Sequence, residues 1–490
     1  MNILAIDQGT SATKAILVGP GQQQLGTGEV PVRVRTIGTD GVETDPDELL
    51  ASVLQAGAKA LAAAGGAPAH AVALANQGET VLAWDRSTGQ PLSQAIVWQD
   101  RRSAAVCERL RLDQGGATAG ELAGITGLPL DPYFAAPKMT WLRENLTADG
   151  VVTTTDTWLL ARLAGSYVTD AATASRTMLL DLDTTGWSDR ACAAFGLEPG
   201  ALPEVVDCAG VVGETSAFSG SPGGGPARAI PIAGVIVDQQ AALLAQGCLA
   251  TGQAKCTYGT GAFLLATTGG QAVRSAAGLS ASVAWRLAGV PAYCLDGQVY
   301  TAGAAIRWLT EVGLLDRAGS LDAVAGSVPD SGGVIFVPAL SGLGAPHWQP
   351  SARGAFLRLG LGTSRAHLVR AVVDGLAASV ALLARSVTDD LGQPLTVLRA
   401  DGGLTRSTLL MQTQADLLQL PVQVCRTPDA TAMGAAALAR IGMGQAADMA
   451  QAVGPVPVEA VIEPRISADQ AAERLAVFEA GLRAAIAASQ

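Results

Sequence analysis

Residues 2–18 read NILAIDQGTSATKAILV and predict two short strands joined by a tight turn. Residues 2–6 are apolar, and residues 13–18 form a second apolar run rich in β-branched side chains. The turn between them, residues 7–11, contains Asp7, Gly9 and Thr10. Such a turn exposes successive backbone N–H groups with no Cβ in the way, and this concavity suits phosphate oxygens.

The same pattern returns about half a chain later. Strand 255–258 leads into Gly259-Thr260-Gly261, and strand 263–267 leaves it. A third glycine turn, residues 400–403, follows a strand over 395–398. Helical patterns then cover 407–418 and 432–441. The repeated unit predicts a duplicated α/β architecture with domains 1–246 and 247–490.

One glycine turn alone is weak evidence, because ordinary hairpins use glycine. Two matched turns together with a third Asp-Gly-Gly turn are more specific, and they favour a nucleoside triphosphate bound in a cleft between two domains. The sequence lacks a Walker A loop, a Gly-x-Gly-x-x-Gly fingerprint, a Gly-x-Ser-x-Gly elbow and a His-Glu-x-x-His motif. Any phosphate chemistry therefore needs a different scaffold.

Two carboxylates stand out near these turns. Asp238 ends the apolar strand 229–237 and precedes a helical pattern, which places it at a cleft mouth as a candidate catalytic base. It could equally cap the following helix. Asp7 could brace its own turn or hold Mg²⁺ through water.

Composition limits the partners. The formal net charge is −11 and the pI about 4.8, which argues against nucleic acid as a main partner. The seven cysteines are scattered without a Cys-x-x-Cys pair, as in a reducing cytosol. The start lacks a basic region, and no run approaches ~20 strongly apolar residues, so neither a signal peptide nor a membrane span is expected. The glycine-rich stretch 219–226 predicts a surface loop.

The motifs together resemble those of the FGGY carbohydrate kinases, most closely the glycerol kinases among them. The resemblance runs from residue 3 to about 442. The segments that carry it are 7–11 (DQGTS), 76–80 (NQGET), 95–102 (AIVWQDRR), 131–134 (DPYF), 156–160 (DTWLL), 174–179 (ASRTML), 238–243 (DQQAAL), 258–261 (YGTG), 342–346 (GLGAP) and 401–403 (DGG).

This resemblance implies two ribonuclease-H-like domains, of the actin, hexokinase and Hsp70 type, around a nucleotide cleft. It implies a cytoplasmic, homo-oligomeric enzyme that transfers the γ-phosphate of ATP, with Mg²⁺, to a hydroxyl of a small polyol, first of all glycerol. Longer acceptors such as erythritol, xylitol, ribulose and xylulose are the alternative.

The resemblance also implies a role for individual residues. Asp238 is the expected general base, and Asp7 is expected to order Mg²⁺. The residues expected to bind the acceptor are Gly78, Glu79, Trp98, Tyr133, Asp238, Gln239 and Phe263. Those expected to bind the nucleotide are Thr10, Ser11, Lys14, Thr260, Gly261, Gly303, Arg307, Gly403 and Ser407.

Four positions depart from the pattern of the glycerol kinases. Gly78 stands where an arginine contacts the acceptor, which predicts lost hydrogen bonds. Water or a neighbouring side chain could refill the gap, so that glycerol binds more weakly and with loosened specificity, or a longer acceptor could occupy it. The loop backbone could also shift inward and leave no extra room. Lys14 replaces an arginine, keeping the charge but not the planar fork. Arg307 and Ser407 replace a glutamine and an asparagine near the nucleotide.

A non-catalytic ATP switch on the same scaffold is the competing class. A switch protein has no need of an acceptor pocket, so the presence of Trp98, Tyr133 and Asp238 beside Glu79 favours the kinase.

Overall fold

The computed structural model describes residues 1–113, 116, 118–219, 228–427 and 429–489. The stretch 219–226 lies almost wholly outside these residues. The strands are β1 (Ile3–Gln8), β2 (Ala12–Val18), β3 (Gln24–Pro31), β4 (Val34–Ile37), β5 (Gly41–Thr44), β6 (Ala71–Asn76), β7 (Val81–Trp84), β8 (Ala95–Ile96), β9 (Val151–Thr154), β10 (Val168–Asp170), β11 (Leu180–Asp181), β12 (Gly186–Trp187), β13 (Glu204–Val206), β14 (Ala209–Thr215), β15 (Ile230–Val237), β16 (Gln253–Tyr258), β17 (Ala262–Gly269), β18 (Ser280–Leu287), β19 (Val290–Val299), β20 (Ile335–Val337), β21 (Ala355–Leu357), β22 (Val397–Asp401), β23 (Val422–Cys425) and β24 (Val458–Ile462).

Helices connect and cover these strands. They are α1 (Pro46–Ala63), α2 (Ala104–Leu112), α3 (Ala119–Thr126), α4 (Ala135–Asn145), α5 (Thr155–Ala164), α6 (Ala171–Ser175), α7 (Asp189–Ala194), α8 (Asp238–Ala245), α9 (Gly303–Glu311), α10 (Leu321–Ala325), α11 (Arg365–Leu391), α12 (Thr408–Leu418), α13 (Ala430–Gly442), α14 (Met449–Val453) and α15 (Ala468–Ala487).

Two sheets carry the duplication that the sequence predicts. The first has the order β14-β15-β6-β1-β2-β3, and the second has the order β18-β19-β17-β16-β22-β23-β24. In the first, β1 pairs antiparallel with β2 and parallel with β6, which pairs parallel with β15. In the second, β16 pairs antiparallel with β17 and parallel with β22, which pairs parallel with β23. The shared order is that of the expected ribonuclease-H-like fold.

The predicted elements lie within two or three residues of the observed ones at each end. The two strand–turn–strand units are β1–β2 and β16–β17, and the third glycine turn follows β22. The predicted helices are α12 and α13. Ser407 caps α12 by accepting a hydrogen bond from the Leu410 N–H at 3.0 Å.

Helix α13 crosses between the halves of the sequence. It follows β23 of the second sheet in the chain, yet it packs against β15, β6 and β1 of the first sheet and against α8. Its small residues allow this approach: a Cβ added at Gly434 would lie 2.0 Å from the Ala241 carbonyl oxygen. The first sheet is therefore covered partly by residues from the end of the chain.

Helix α11 is long and apolar enough to cross a membrane by length and composition, although the sequence had suggested no such segment. Of its most apolar 18-residue window, 72% is buried inside the protein. Burial of this kind is typical of a core helix. All seven cysteines are free and buried.

Candidate active site

A cavity of about 190 Å³ opens where the two sheets face each other. Its walls come from the ends of β6 and β15, from the loop before α4 and from β17 and β19. It is lined by Thr10, Gly78, Glu79, Trp98, Tyr133, Arg176, Val237, Asp238, Gln239, Gln240, Phe263, Leu265 and Asp296. The seven residues expected to bind the acceptor therefore surround one cavity, together with Thr10 of the first glycine turn.

The polar wall of the cavity is a buried ion triad. Arg176 donates from Nε to Glu79 Oε1 at 2.7 Å and from Nη1 to Asp296 Oδ1 at 2.6 Å. Burial opposes the charge of Arg176, but the two carboxylates outweigh it and hold the pKa of the guanidinium well above its usual range. The triad fixes the Glu79 carboxylate at the cavity.

The aromatic wall is held in place from behind. Tyr133 and Trp98 meet edge to face, with ring centroids 5.6 Å apart. The buried Lys138 ammonium donates to the carbonyl oxygens of Pro132, Tyr133 and Phe134 at 2.5–3.0 Å, which fixes the loop that carries Tyr133. Burial lowers the pKa of Lys138 to about 8.

Trp98 also connects this wall to the first glycine turn. Its Nε1–H donates to Thr10 Oγ1 at 2.9 Å, and the Thr10 hydroxyl donates to Gln77 Oε1 at 3.2 Å. The acceptor wall and the turn therefore share one hydrogen-bond chain, which can position an acceptor relative to a phosphate.

Asp238 is the first residue of α8, directly after β15, so the sequence correctly placed it at a strand end. Val237, and not Asp238, occupies the cap position, and Asp238 Oδ1 accepts the Gln239 N–H at 2.7 Å. Burial, reinforced by the Glu79 carboxylate, raises the pKa of Asp238 to about 6. A carboxylate with this pKa is ionised at neutral pH and is well suited to accept a proton.

Gln239 is oriented by a buried cation. Lys255, on β16, donates from Nζ to Gln239 Oε1 at 2.7 Å and to Thr257 Oγ1 at 3.1 Å. The amide oxygen of Gln239 is thereby occupied. Its NH₂ group is the remaining hydrogen-bonding group of a side chain that lines the cavity.

Gly78 follows β6, and its neighbour is Val237, the last residue of the adjacent strand β15. A Cβ added at Gly78 would lie 3.0 Å from Val237 Cγ2. A side chain at residue 78 therefore has less room than the sequence suggests, because the branched side chain of Val237 lies next to the position of its Cβ atom.

The first glycine turn has a bond from the Gly9 N–H to the Ala12 carbonyl oxygen at 3.1 Å. Ser11 is exposed at its tip, and Lys14 lies opposite Asp7 in the β1–β2 pair. The Lys14 ammonium lies 2.5 Å from Asp429 Oδ1 at the start of α13. Burial, and then the Asp238 and Asp429 carboxylates, raise the pKa of Asp7 to about 8.

Three loops of the second half meet around the second glycine turn. The Gly303 N–H, at the start of α9, donates to the Gly259 carbonyl oxygen at 3.0 Å, and Thr260 is exposed beside it. Gly402 has φ +92° and approaches Tyr258 so closely that a Cβ would lie 2.4 Å from its carbonyl oxygen. The loops that carry Gly261, Gly303 and Gly403 therefore meet at the ends of the central strands β16 and β22.

Arg307 and Ser407, the last two residues expected to bind the nucleotide, differ in whether their side chains are free to reach a ligand. Arg307 is exposed on α9, one turn after its start, where its charge is free to reach a ligand. Ser407 is buried, and its hydroxyl donates to Asp322 while capping α12. The side chain of Ser407 therefore already has structural partners.

The sequence missed Arg176, Val237, Gln240, Leu265 and Asp296. Arg176 belongs to segment 174–179, but the sequence assigns it no role, because its two partners are 97 and 120 residues away in the chain. One signal was available: Asp296 is a carboxylate in the middle of the apolar strand Val290–Val299. An acid in that position needs a buried partner.

A metal ion would find few protein ligands here. Within the residues described, no group of three or more His, Cys, Asp or Glu side chains could hold one. Asp7 still fits a Mg²⁺ ion: burial, and then the Asp238 and Asp429 carboxylates, raise its pKa, and a divalent cation would relieve the repulsion between these carboxylates. Phosphate oxygens of a substrate and water would supply the other ligands.

Known proteins resemble this chain along nearly its whole length. Models of the N-terminal and C-terminal domains of the FGGY family of carbohydrate kinases match residues 2–245 and 254–443. Glycerol kinase of Thermus brockianus is 45% identical over 455 residues, and that of Myxococcus xanthus is 43% identical over 457, each covering 90% of both chains. The crystal structure of Plasmodium falciparum glycerol kinase with ADP superposes with a TM-score of 0.90 at 29% identity, covering 99% of this chain and 98% of that one.

A xylulose kinase from Brucella ovis has the same architecture, with a TM-score of 0.87 at 25% identity over 99% of this chain and 98% of the other. Both halves of the sequence match the same family in order, and the two sheets agree with that match. The chain belongs to the FGGY family of carbohydrate kinases, which are phosphotransferases with an alcohol group as acceptor.

Proposed function

We propose that the protein phosphorylates a primary hydroxyl of glycerol with ATP, giving glycerol 3-phosphate and ADP. The observation that carries the proposal is the small cavity in which Asp238 faces an ion triad and an aromatic wall. Its volume of about 190 Å³ is well below the roughly 300–1,000 Å³ of pockets for drug-sized ligands, which favours a short acceptor. The glycerol kinases at 42–45% identity support the same acceptor.

Asp238 is the general base in this proposal. As the acceptor oxygen forms its bond to the γ-phosphorus, its proton moves to the Asp238 carboxylate. The bond between the γ-phosphorus and the β,γ-bridging oxygen breaks, and ADP leaves with that electron pair. Most of the catalysis is positioning and charge neutralisation, which the site supports through fixed groups.

The acceptor is held from two sides. Glu79 accepts hydrogen bonds from acceptor hydroxyls, and Gln239 donates one. The Tyr133 hydroxyl, at the edge of the aromatic wall, also contacts an acceptor hydroxyl. Trp98 and Phe263 contact the carbon skeleton. Gly78 contributes no side chain, so the backbone and Val237 form that part of the wall.

The nucleotide is held by both halves. Residues 10, 11 and 14 of the first unit and residues 260 and 261 of the second contact its phosphates. The rest of it lies along Gly303, Arg307, Gly403 and Ser407. Asp7 would order Mg²⁺, which would supply neutralisation of the phosphate charge.

Three broader properties also remain predictions from the sequence. We expect domains 1–246 and 247–490, with α13 then belonging in sequence to one domain and in packing to the other. We expect a cytoplasmic, homo-oligomeric protein. Light scattering coupled to size exclusion measures the oligomeric state.

A panel of acceptors tests the function. We expect ATP consumption to require an acceptor, and kcat/KM for glycerol to exceed that for erythritol, xylitol, ribulose and xylulose. Phosphorus NMR should identify glycerol 3-phosphate as the product. A five-carbon acceptor that exceeds glycerol by more than about tenfold, or ~1.4 kcal/mol, would refute glycerol as the substrate. Hydrolysis of ATP that no acceptor stimulates would instead favour a nucleotide switch.

A further inference from the structure

A second cavity, of about 450 Å³, lies apart from the residues that line the acceptor pocket. Segments that are far apart in the sequence form it. They are the end of β2 with the turn that follows, the end of α8, one face of α13, and the stretch 452–457. Its walls are mostly apolar, with Pro20, Pro455 and Pro457 among them. In the part of the chain that the structure describes, Arg440 is the only charged residue that lines it.

Arg440 is partly buried, and no ion-pair partner for it lies among the described residues. Its Nε and Nη1 atoms are buried from solvent, and neither has a hydrogen-bond partner among the described residues. Arg440 lies in the last turn of α13, where arginine side chains commonly donate to the final carbonyl groups of a helix. Within the described part of the chain, Nε and Nη1 make no such bond, so the geometry of the helix end does not account for these two atoms.

A second donor lies in the same cavity. Thr427 Oγ1 is also buried, and it too has no hydrogen-bond partner among the described residues. Leaving a buried donor or charge without a partner is costly, and natural proteins rarely do so without another role for the group. Two separate unpaired groups around one cavity point to a ligand that accepts hydrogen bonds and carries negative charge.

We propose that this cavity binds a small organic anion. Its phosphate or carboxylate group contacts Arg440 and Thr427, and its uncharged body lies against the prolines. The cavity favours an anion with a body over a bare ion, because its volume is large and most of its lining is apolar. The site is distinct from the ATP and acceptor sites proposed above.

Calorimetric titration tests the proposal, with phenyl phosphate and benzoate as probes. The protein is first loaded with glycerol, Mg²⁺ and a non-hydrolysable ATP analogue, so that the phosphate-binding turns are occupied. We expect at least one probe to bind with a stoichiometry of one per chain, whereas sodium chloride at equal ionic strength gives no binding. Phenyl phosphate alone would indicate a phosphate ligand, and benzoate alone a carboxylate ligand.

Variants locate the binding. Arg440→Met should weaken it at least about tenfold, the loss expected for a charged hydrogen bond, and Thr427→Val by a smaller factor. Arg440→Lys keeps the charge and should retain part of the affinity. Basal kinase activity of all three should equal that of the wild type, which also shows that they fold. No binding to the wild type, or equal binding to the wild type and Arg440→Met, would overturn the proposal.

Discussion

The Cγ2 methyl group of Val237 lies 3.0 Å from the position that a Cβ atom of residue 78 would take, where the chain has glycine. Val237 is the last residue of β15, and Gly78 lies two residues beyond the end of β6, the parallel strand beside it, so the sheet brings the two residues together. A longer side chain at residue 78 would have to pass this methyl group. Val237 therefore helps to determine what the acceptor pocket can hold.

Gly78→Arg alone should lower kcat/KM for glycerol about tenfold, because overpacking of this kind typically costs ~1–3 kcal/mol. The comparison of the sequence with the family pattern shows the missing arginine but not the valine beside it. Gly78→Arg with Val237→Ala should recover the loss, and Val237→Ala alone is the control. Steady-state kinetics with glycerol measures all three. A gain in the Gly78→Arg single variant would show that Val237 does not limit this position.

Asp238→Asn should lower kcat by roughly 10²–10⁴ and leave nucleotide affinity similar, because the amide cannot accept the hydroxyl proton. The pKa of Asp238 is raised to about 6, and the base must be ionised. We therefore expect kcat/KM of the wild type to fall about tenfold per pH unit below pH 6 and to be level above it. The residual activity of Asp238→Asn should lack this acidic limb. Near-normal turnover in that variant would exclude Asp238 as the base.

Arg176→Met should destabilise the fold by about 3–5 kcal/mol, because it leaves the Glu79 and Asp296 carboxylates buried without their cation. Denaturant unfolding measures the loss. The matched control is Arg190→Met, which breaks an exposed, solvent-screened pair with Glu121 and should leave the stability nearly unchanged. Equal losses in the two variants would mean that the triad adds nothing beyond a surface ion pair.

Local patterns allowed the strand–turn–strand units to be predicted from the sequence. Around Gly9 and Gly259, an apolar strand, a polar turn and a second apolar strand follow one another within a few residues. These elements can therefore be predicted without knowing any contact between distant parts of the chain. The position of Asp238 at a strand end followed from the apolar run before it, and the two-domain fold followed from the duplication and the family resemblance.

Contacts between distant parts of the chain could not be predicted in the same way. Arg176 reaches Asp296 across 120 residues. Helix α13 packs on a sheet from the other half of the sequence, and the cavity around Arg440 forms only where it meets the turn after β2. Each of these depends on packing between elements whose individual sequences look like ordinary core or surface.

Trp98→Phe should reduce kcat/KM about three- to tenfold, the range expected for one neutral hydrogen bond. Phenylalanine keeps the aromatic wall but cannot donate to Thr10, so the acceptor wall and the phosphate turn lose their direct connection. Trp187→Phe is the matched control, because its Nε1–H donates to the Pro203 carbonyl oxygen and it does not line the cavity. A change in Trp187→Phe as large as that in Trp98→Phe would assign the effect to stability alone.

Magnesium dependence should vary with pH through Asp7. Its pKa is raised to about 8, so a proton competes for the carboxylate at neutral pH, and only the ionised form can order Mg²⁺. With ATP and glycerol saturating, we expect the free Mg²⁺ concentration for half-maximal rate to be about tenfold higher at pH 7.0 than at pH 8.5. Asp238, with its pKa of about 6, is largely ionised at both pH values and does not account for such a change. Asp7→Asn should need more Mg²⁺ at pH 8.5 and lose the dependence on pH. If the wild type needs the same concentration at both pH values, Asp7 does not order the metal ion, and its carboxylate serves only to brace the turn.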